Sequence, residues 1–319
     1  MLLFTTKKRG SSVLRPASII NQRSFTASST NLQTPTDCRF KKPSRDLRGK
    51  VAIVTGAGSQ GDNHIGNGRA TALLLAEDGA SVVCVDKQLS LAQRTVSMFS
   101  TQSPTGCKEA LALDADVTSE QDCRHVIDAT LAEFGRVDIL VNVVGIMGTR
   151  GTAVDVDLTE WAEGLKVNVT SMMLMAKFAI PAMLKNERTD EKPIRGSIVN
   201  IGSVAGLLGG TPHLLYPTSK GAVINMTRSM AAHHGADGIR VNCVCPGMLF
   251  TPMMYGAGMT PEVRESRRKR SLLGTEGNAW DCASAIRFLA GDEARWITGA
   301  VLTVDAGATA AVSVSTGTA

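Results

Sequence analysis

No stretch of this 319-residue chain approaches the roughly 18 consecutive apolar residues of a membrane-spanning helix, so no membrane span is expected. Strong charge is missing as well. The formal net charge is +5, and the basic excess sits before Val51, which leaves the rest near neutral or slightly acidic. That balance offers no surface for nucleic acid. No Cys-x-x-Cys occurs. The seven cysteines (Cys38, Cys84, Cys107, Cys123, Cys243, Cys245 and Cys282) are odd in number and scattered. This speaks against a disulfide framework and a zinc site, fits a reducing compartment, and leaves no metal expected. Cys243 and Cys245 stand two apart in an apolar run and should share one face of a strand as packing residues.

Acidic residues are also absent until Asp37, whereas Lys7, Lys8, Arg9, Arg15 and Arg23 come before it among many Ser and Thr. Residues 1–45 therefore read as a disordered extension. They resemble a mitochondrial targeting peptide, with a matrix-protease cleavage region at Arg23-Ser24-Phe25 and Thr26-Ala27-Ser28. The expected location is the mitochondrial matrix, with the cytoplasm as the alternative if the extension carries no address.

A different grammar begins after residue 45. Val51-Ala52-Ile53-Val54 is a short, β-branched apolar run, hence a buried strand. A glycine-rich turn and an Ala/Leu-rich helix from Gly68 to Asp78 follow. Further strands are expected at 81–85, ending in Asp86, and at 139–144, 196–201, 239–244 and 301–304, with helical patterns between them. Alternating strands and helices imply a Rossmann-like α/β fold: a doubly wound parallel sheet of about seven strands with helices on both faces. This domain spans 46–307. Residues 185–193 read as a charged surface loop and 308–319 as a flexible tail.

Chemistry enters with Tyr216 and Lys220, four residues apart and so on one helix face. A phenol and an ammonium there meet one small molecule together. Free tyrosine titrates near pH ~10, and a neighbouring cation pulls that pKa down. Ser203, thirteen residues earlier, brings a hydroxyl able to polarise a carbonyl. Pro217 suits a helix's first turn, which places Tyr216 at the start of its helix. As a bare spacing this is also what an amphipathic helix with a packed tyrosine and a solvated lysine looks like. A redox cofactor decides between the two readings. Thr55-Gly56-Ala57-Gly58 and Ile65-Gly66-Asn67-Gly68 between strand and helix allow close approach of a pyrophosphate. Asp86 at the second strand's end can bind both ribose hydroxyls and repel a 2′-phosphate, favouring NAD over NADP. Lys87 next door argues the other way.

These pieces, with Asp116-Val117, Asn142-Val143-Val144-Gly145, Asn168, Pro246-Gly247 with Thr251, and Asp305-Ala306-Gly307, resemble the single-domain short-chain dehydrogenase/reductase family from about Lys50 to Gly307. The resemblance implies an NAD(P)-dependent enzyme with Ser203, Tyr216 and Lys220 as its catalytic residues and Asn168 anchoring a proton-relay water. It implies that Gly56, Ile65 and Gly66 line the pyrophosphate, Asp116 and Val117 flank the adenine, and Asn142 and Gly145 border the adenosine ribose. Pro246, Gly247, Leu249 and Thr251 would hold the nicotinamide, with Tyr216 and Lys220 also touching the cofactor. It further implies a homo-oligomer, dimer or tetramer, packed through 168–183 and 217–234. Two departures stand out. The family turn Thr-Gly-x-x-x-Gly-Ile-Gly is about four residues longer here, with His64 before Ile65 and Gly61 supplying flexibility, and Asn-Asn-Ala-Gly reads Asn142-Val143-Val144-Gly145.

The implied reaction interconverts a secondary alcohol and a ketone on an apolar small molecule. Alternatives are a 3-oxoacyl thioester reductase or 3-hydroxyacyl dehydrogenase, a secondary-metabolite ketoreductase, an epimerase of the extended relatives, and a non-enzymatic cofactor sensor. The pocket is expected from 146–150, 207–215 and 248–259. Arg267-Arg268-Lys269-Arg270 reads as a solvated helix face, with steering of an anionic substrate as the other reading.

Overall fold

A computed structural model of the chain describes residues 42–60, 64–99, 109–190, 192–256 and 258–311. The basic extension to residue 41, Gly61 and residues 312–319 lie outside the described residues.

Seven parallel strands form one sheet: β1 (Val51–Thr55), β2 (Ser81–Asp86), β3 (Ala110–Asp114), β4 (Ile139–Asn142), β5 (Gly196–Ile201), β6 (Ile239–Pro246) and β7 (Val301–Val304). Their order is β3-β2-β1-β4-β5-β6-β7, which reverses direction between β1 and β4. β1, β4, β5 and β6 are buried along their whole length, as expected of parallel strands covered on both faces. The edge strand β3 is mostly half-buried and Ala-rich, so its apolar signal is weak, and it has no counterpart among the strands named from sequence.

Helices cover both faces. On one, α1 (Asn67–Glu77), α2 (Leu89–Ser97) and a helix at Ala279–Ala290 pack through Leu73, Leu75, Ala92, Cys282 and Ile286. On the other, α3 (Glu120–Phe134), and helices at Ser171–Met183 and Leu215–His234, contribute Val126, Met175, Met183 and Ala231. In chain order α4 is Leu158–Leu165, α5 Ser171–Met183, α6 Leu215–His234, α7 Pro252–Tyr255, α8 Pro261–Arg268 and α9 Ala279–Ala290. Caps fix the ends: Ser119 accepts from Asp122 N before α3, Gly135 closes α3 at φ 73°, and Asn278 and Asp281 form a reciprocal capping box on α9. A π-helical turn, Lys166–Thr170, joins α4 to α5 and carries Asn168. As in other doubly wound sheets, the reversal of strand order opens a crevice beyond the carboxyl ends of the strands.

Candidate active site

That crevice is a cavity of about 500 Å³. At one end the chain leaves β1 through Gly56, held at φ 65°, and re-enters α1 at the N-cap Gly66. A Cβ on Gly68 would overlap the carbonyl oxygen of Gly56, so α1 sits against β1 only because position 68 is glycine. The two helix-side glycines are thus Gly66 and Gly68, with Asn67 between them. Nine residues separate Gly56 from Gly66 where the family turn has three. This corrects the expected register. Gly56, Gly66 and Asn67 line the cavity, whereas Ile65 packs away from it against Ala70, Ala279 and Ala283.

Arg69, fully buried, holds the long turn in shape. Its Nη1 donates to His64 O (2.8 Å), its Nη2 to Ser59 O (3.3 Å) and its Nε to Thr95 Oγ1 (3.0 Å). Two buried atoms in the turn have no partner among the described residues, Ser59 Oγ and Asn67 Oδ1. His64 does not reach into the cavity: its ring meets Tyr255 edge-on at 5.0 Å.

Asp86 is fixed from both sides, Oδ2 accepting from Gly58 N (3.0 Å) and Oδ1 from Gln88 N (3.1 Å). Lys87 Nζ donates to Asp116 Oδ2 at 2.7 Å. That bond is the main reason the Asp116 carboxyl falls to about 2. Val117 and Gly145 line the cavity beside them. Asn142 does not: it is buried in the sheet, donating to Asn200 Oδ1 (2.9 Å).

At the other end Ser203 caps a short 3-10 turn, its Oγ accepting from Ala205 N at 3.1 Å, and it lines the cavity with the Tyr216 phenol. Tyr216 is the second residue of α6, as Pro217 requires. Lys220 is fully buried, donating to Ile201 O (2.8 Å), with Nζ 5.8 Å from the Tyr216 ring centre. Burial lowers Lys220 to about 8. Burial likewise raises the phenol of Tyr216, only partly opposed by Ser203. In this resting site the direction of the tyrosine's shift is set by desolvation. Beneath Gly202, Cys243 and Cys245 share one face of β6, with their sulfurs 3.8 Å apart.

Asn168 contacts neither phenol nor amine by its side chain. Oδ1 accepts from Ile146 N (2.8 Å), and Nδ2 donates to Ile146 O (2.9 Å) and Ser219 Oγ (3.0 Å). It ties the segment after β4 to α6. A Cβ on Gly145 would lie 3.2 Å from Lys220 Nζ and 3.4 Å from Asn168 Oδ1, so this glycine keeps the approach to the lysine open. Pro246, Gly247, Leu249 and Thr251 complete the wall with Met253, Met254 and Arg267. Segment 207–215 stays out of the cavity's lining, and His213 is turned to Thr149 O (3.3 Å). Sequence reasoning missed Ser59 and Asn67, and it read Arg267 first as part of a solvated helix face, whereas Arg267 lines the cavity. A polar residue between the two glycines of the turn was the one available signal.

The geometry has counterparts among known proteins. A family model described as enoyl-(acyl carrier protein) reductase matches residues 62–309. A 2-(S)-hydroxypropyl-CoM dehydrogenase of Xanthobacter autotrophicus is 37% identical, covering 84% of this chain and 99% of that protein. A meso-2,3-butanediol dehydrogenase of Serratia marcescens is 34% identical over 82% of this chain and 95% of its own length. A crystal structure from Burkholderia xenovorans, a short-chain dehydrogenase/reductase, superposes with a TM-score of 0.74 at 36% identity, covering 84% of this chain and 99% of that one.

Proposed function

The chain belongs to the short-chain dehydrogenase/reductase family, and on that premise we propose that it interconverts a secondary alcohol and its ketone, using NAD in preference to NADP. The observation that carries the reading is that Ser203, Tyr216 and the buried Lys220 meet in one cavity that also opens onto the glycine turn.

The cavity suits a dinucleotide. Ser59 Oγ is a donor without a partner among the described residues, in a glycine turn at a helix N-terminus, which suits a phosphate oxygen. Asp86, oriented by two backbone amides, suits ribose hydroxyls. Lys87 is paired with Asp116, and this supports NAD, since among the described residues no other lysine lines the cavity beside Asp86 for a 2′-phosphate. Gly145, Lys220, Pro246, Gly247, Leu249 and Thr251 would hold the nicotinamide half. The dinucleotide, when bound, supplies the carbon that accepts or returns hydride.

Tyr216 handles the proton. Its half-buried, protonated phenol gives a proton to the alkoxide oxygen formed on reduction, and its phenolate takes the hydroxyl proton on oxidation. Ser203 Oγ holds the reacting oxygen. Lys220 places a positive charge under the phenolate, and Asn168 positions the wall beside the lysine. Tyr216→Phe should keep NADH binding within about two-fold and lower turnover by ~10²–10⁴-fold. A turnover screen of secondary alcohols with NAD and NADP in parallel, run on both proteins, checks this; full activity of the variant would refute the assignment.

A 3-oxoacyl thioester reductase is the second reading, favoured by the family model's description and by a 3-oxoacyl-[acyl-carrier-protein] reductase of Thermotoga maritima, 33% identical over 82% of this chain. A homo-oligomer packed through α5 and α6, and delivery to the mitochondrial matrix by residues 1–45, complete the proposal.

A further inference from the structure

One wall of the cavity carries a cation that the catalytic scheme leaves unused. Helix α8 and the turn after it hold Arg264, Arg267, Arg268, Lys269 and Arg270. Arg264 is paired with Glu276 and lies over the Phe250 ring, 3.8 Å from its centre. Arg268 grips Glu265 at 2.7 Å, and Lys269 reaches the same carboxylate at 3.8 Å. Arg267 is different. It lines the cavity, is half-buried, and its recorded partner is a carbonyl, Leu249 O, at 3.2 Å. Among the described residues no carboxylate lies within ion-pair distance of it. Burial, reinforced by Arg270 and partly opposed by the more distant charge of Glu276, lowers its pKa.

The acidic residues of the cavity do not supply that charge. Asp86 is held by backbone amides, and Asp116 is paired with Lys87, a lysine that also feels Glu163. The acids therefore serve the Lys87 side, while Arg267, bonded to Leu249 O, lines the same cavity as Thr251, Met253 and Met254. A half-buried arginine with open donors is a fork for a carboxylate, sulfonate or phosphate. Two sources could bring such a group, the dinucleotide's phosphates or the substrate. The glycine turn already offers phosphate its amides and Ser59 Oγ.

Building on the oxidoreductase reading above, we infer that Arg267 binds an anionic group on the substrate, which makes the preferred substrate a secondary alcohol or ketone with an apolar body and a terminal acid. The apolar body lies against Met253 and Met254, whose unbranched side chains adapt to it.

The test uses the full chain saturated with NADH, titrated with hexanoate and with hexanamide, in wild type, Arg267→Gln, Arg267→Lys and, as an exposed control, Arg268→Gln. Wild type should bind hexanoate at least about ten-fold more tightly than hexanamide. Arg267→Gln should lose about 10- to 100-fold for hexanoate and nothing for hexanamide, Arg267→Lys should fall between, and NADH affinity should stay within about two-fold. The same ratio should appear in kcat/KM for 5-hydroxyhexanoate against its methyl ester. Equal binding of acid and amide by wild type overturns the inference. So does a variant that loses NADH affinity while keeping its discrimination, which would assign Arg267 to the dinucleotide's phosphates. If no alcohol is turned over at all, the oxidoreductase reading fails, while the hexanoate titration still judges Arg267.

Discussion

Lys220 shows how a residue's charge is set by where the fold puts it. Its amine is fully buried, and one carbonyl, Ile201 O, cannot replace the water it has lost. Its pKa therefore drops from 10.5 to about 8. In the unfolded chain the lysine keeps its proton to about pH 10.5. Between about pH 8 and 10.5 the unfolded state thus binds more protons, and this residue's contribution to stability rises with pH, by on the order of 3 kcal/mol in total. Below about pH 8 both states are protonated and the burial cost is constant. The buried thiols Cys123 and Cys282, both raised to about 12, act in the opposite sense over an overlapping range. The readable quantity is therefore the difference between wild type and Lys220→Met in urea melts from pH 7 to 10. The variant should be more stable at pH 7, with an advantage that shrinks as pH rises; a pH-independent difference would mean that Lys220 keeps its proton in the folded protein throughout, with no lowering of its pKa.

At the scale of the element, the turn between β1 and α1 decides whether the site exists. Gly68 lets the helix close on Gly56, and Arg69 then pins the nine-residue span by two carbonyls and Thr95. Gly68→Ala must push α1 off the strand. Overpacking of that kind costs about 1–3 kcal/mol, or a fall of roughly 2–12 °C in Tm for a domain of this size. The same change at Gly209, where an added Cβ meets nothing within 4 Å, should leave Tm almost unmoved. Thermal melts of the two variants side by side check it. This element also shows where reading the sequence runs out. Strands such as Val51–Thr55 and Ile198–Ile201 announce themselves because burial on both faces demands unbroken apolar runs. Ser203, Tyr216 and Lys220 are legible because their spacing and types suit one chemistry. Which glycine pair closes the turn was not, since Gly61, Gly66 and Gly68 offer competing registers and only the contact with Gly56 separates them. Nor was the direction of the Tyr216 shift, because desolvation is a property of packing. β3 escaped because an edge strand of Ala and Leu carries too little apolar pattern.

For the whole molecule, the distribution of charge is the main remaining clue. Eleven basic and two acidic residues precede Val51, giving +9, while the total is only +5, so residues 51–319 carry −4. An enzyme body with a slight negative charge gains nothing in its own chemistry from a strongly basic leader. Arg267 bears on this from the other side, because a cavity that recruits an anion does so with a local cation rather than with net charge. The proposal of a mitochondrial address gives this basic segment a role of its own. A basic, hydroxyl-rich, acid-poor segment is attracted to the negative interior of an energised mitochondrion. Residues 1–45 fused to a fluorescent reporter should direct it to the matrix and be shortened near Arg23-Ser24-Phe25. Replacing Lys7, Lys8, Arg9, Arg15 and Arg23 by Gln should leave the reporter in the cytoplasm. The enzyme lacking residues 1–45 should retain full turnover, because no residue of the proposed site precedes Gly56; a loss of activity on truncation would show that the leader contributes to catalysis rather than to address.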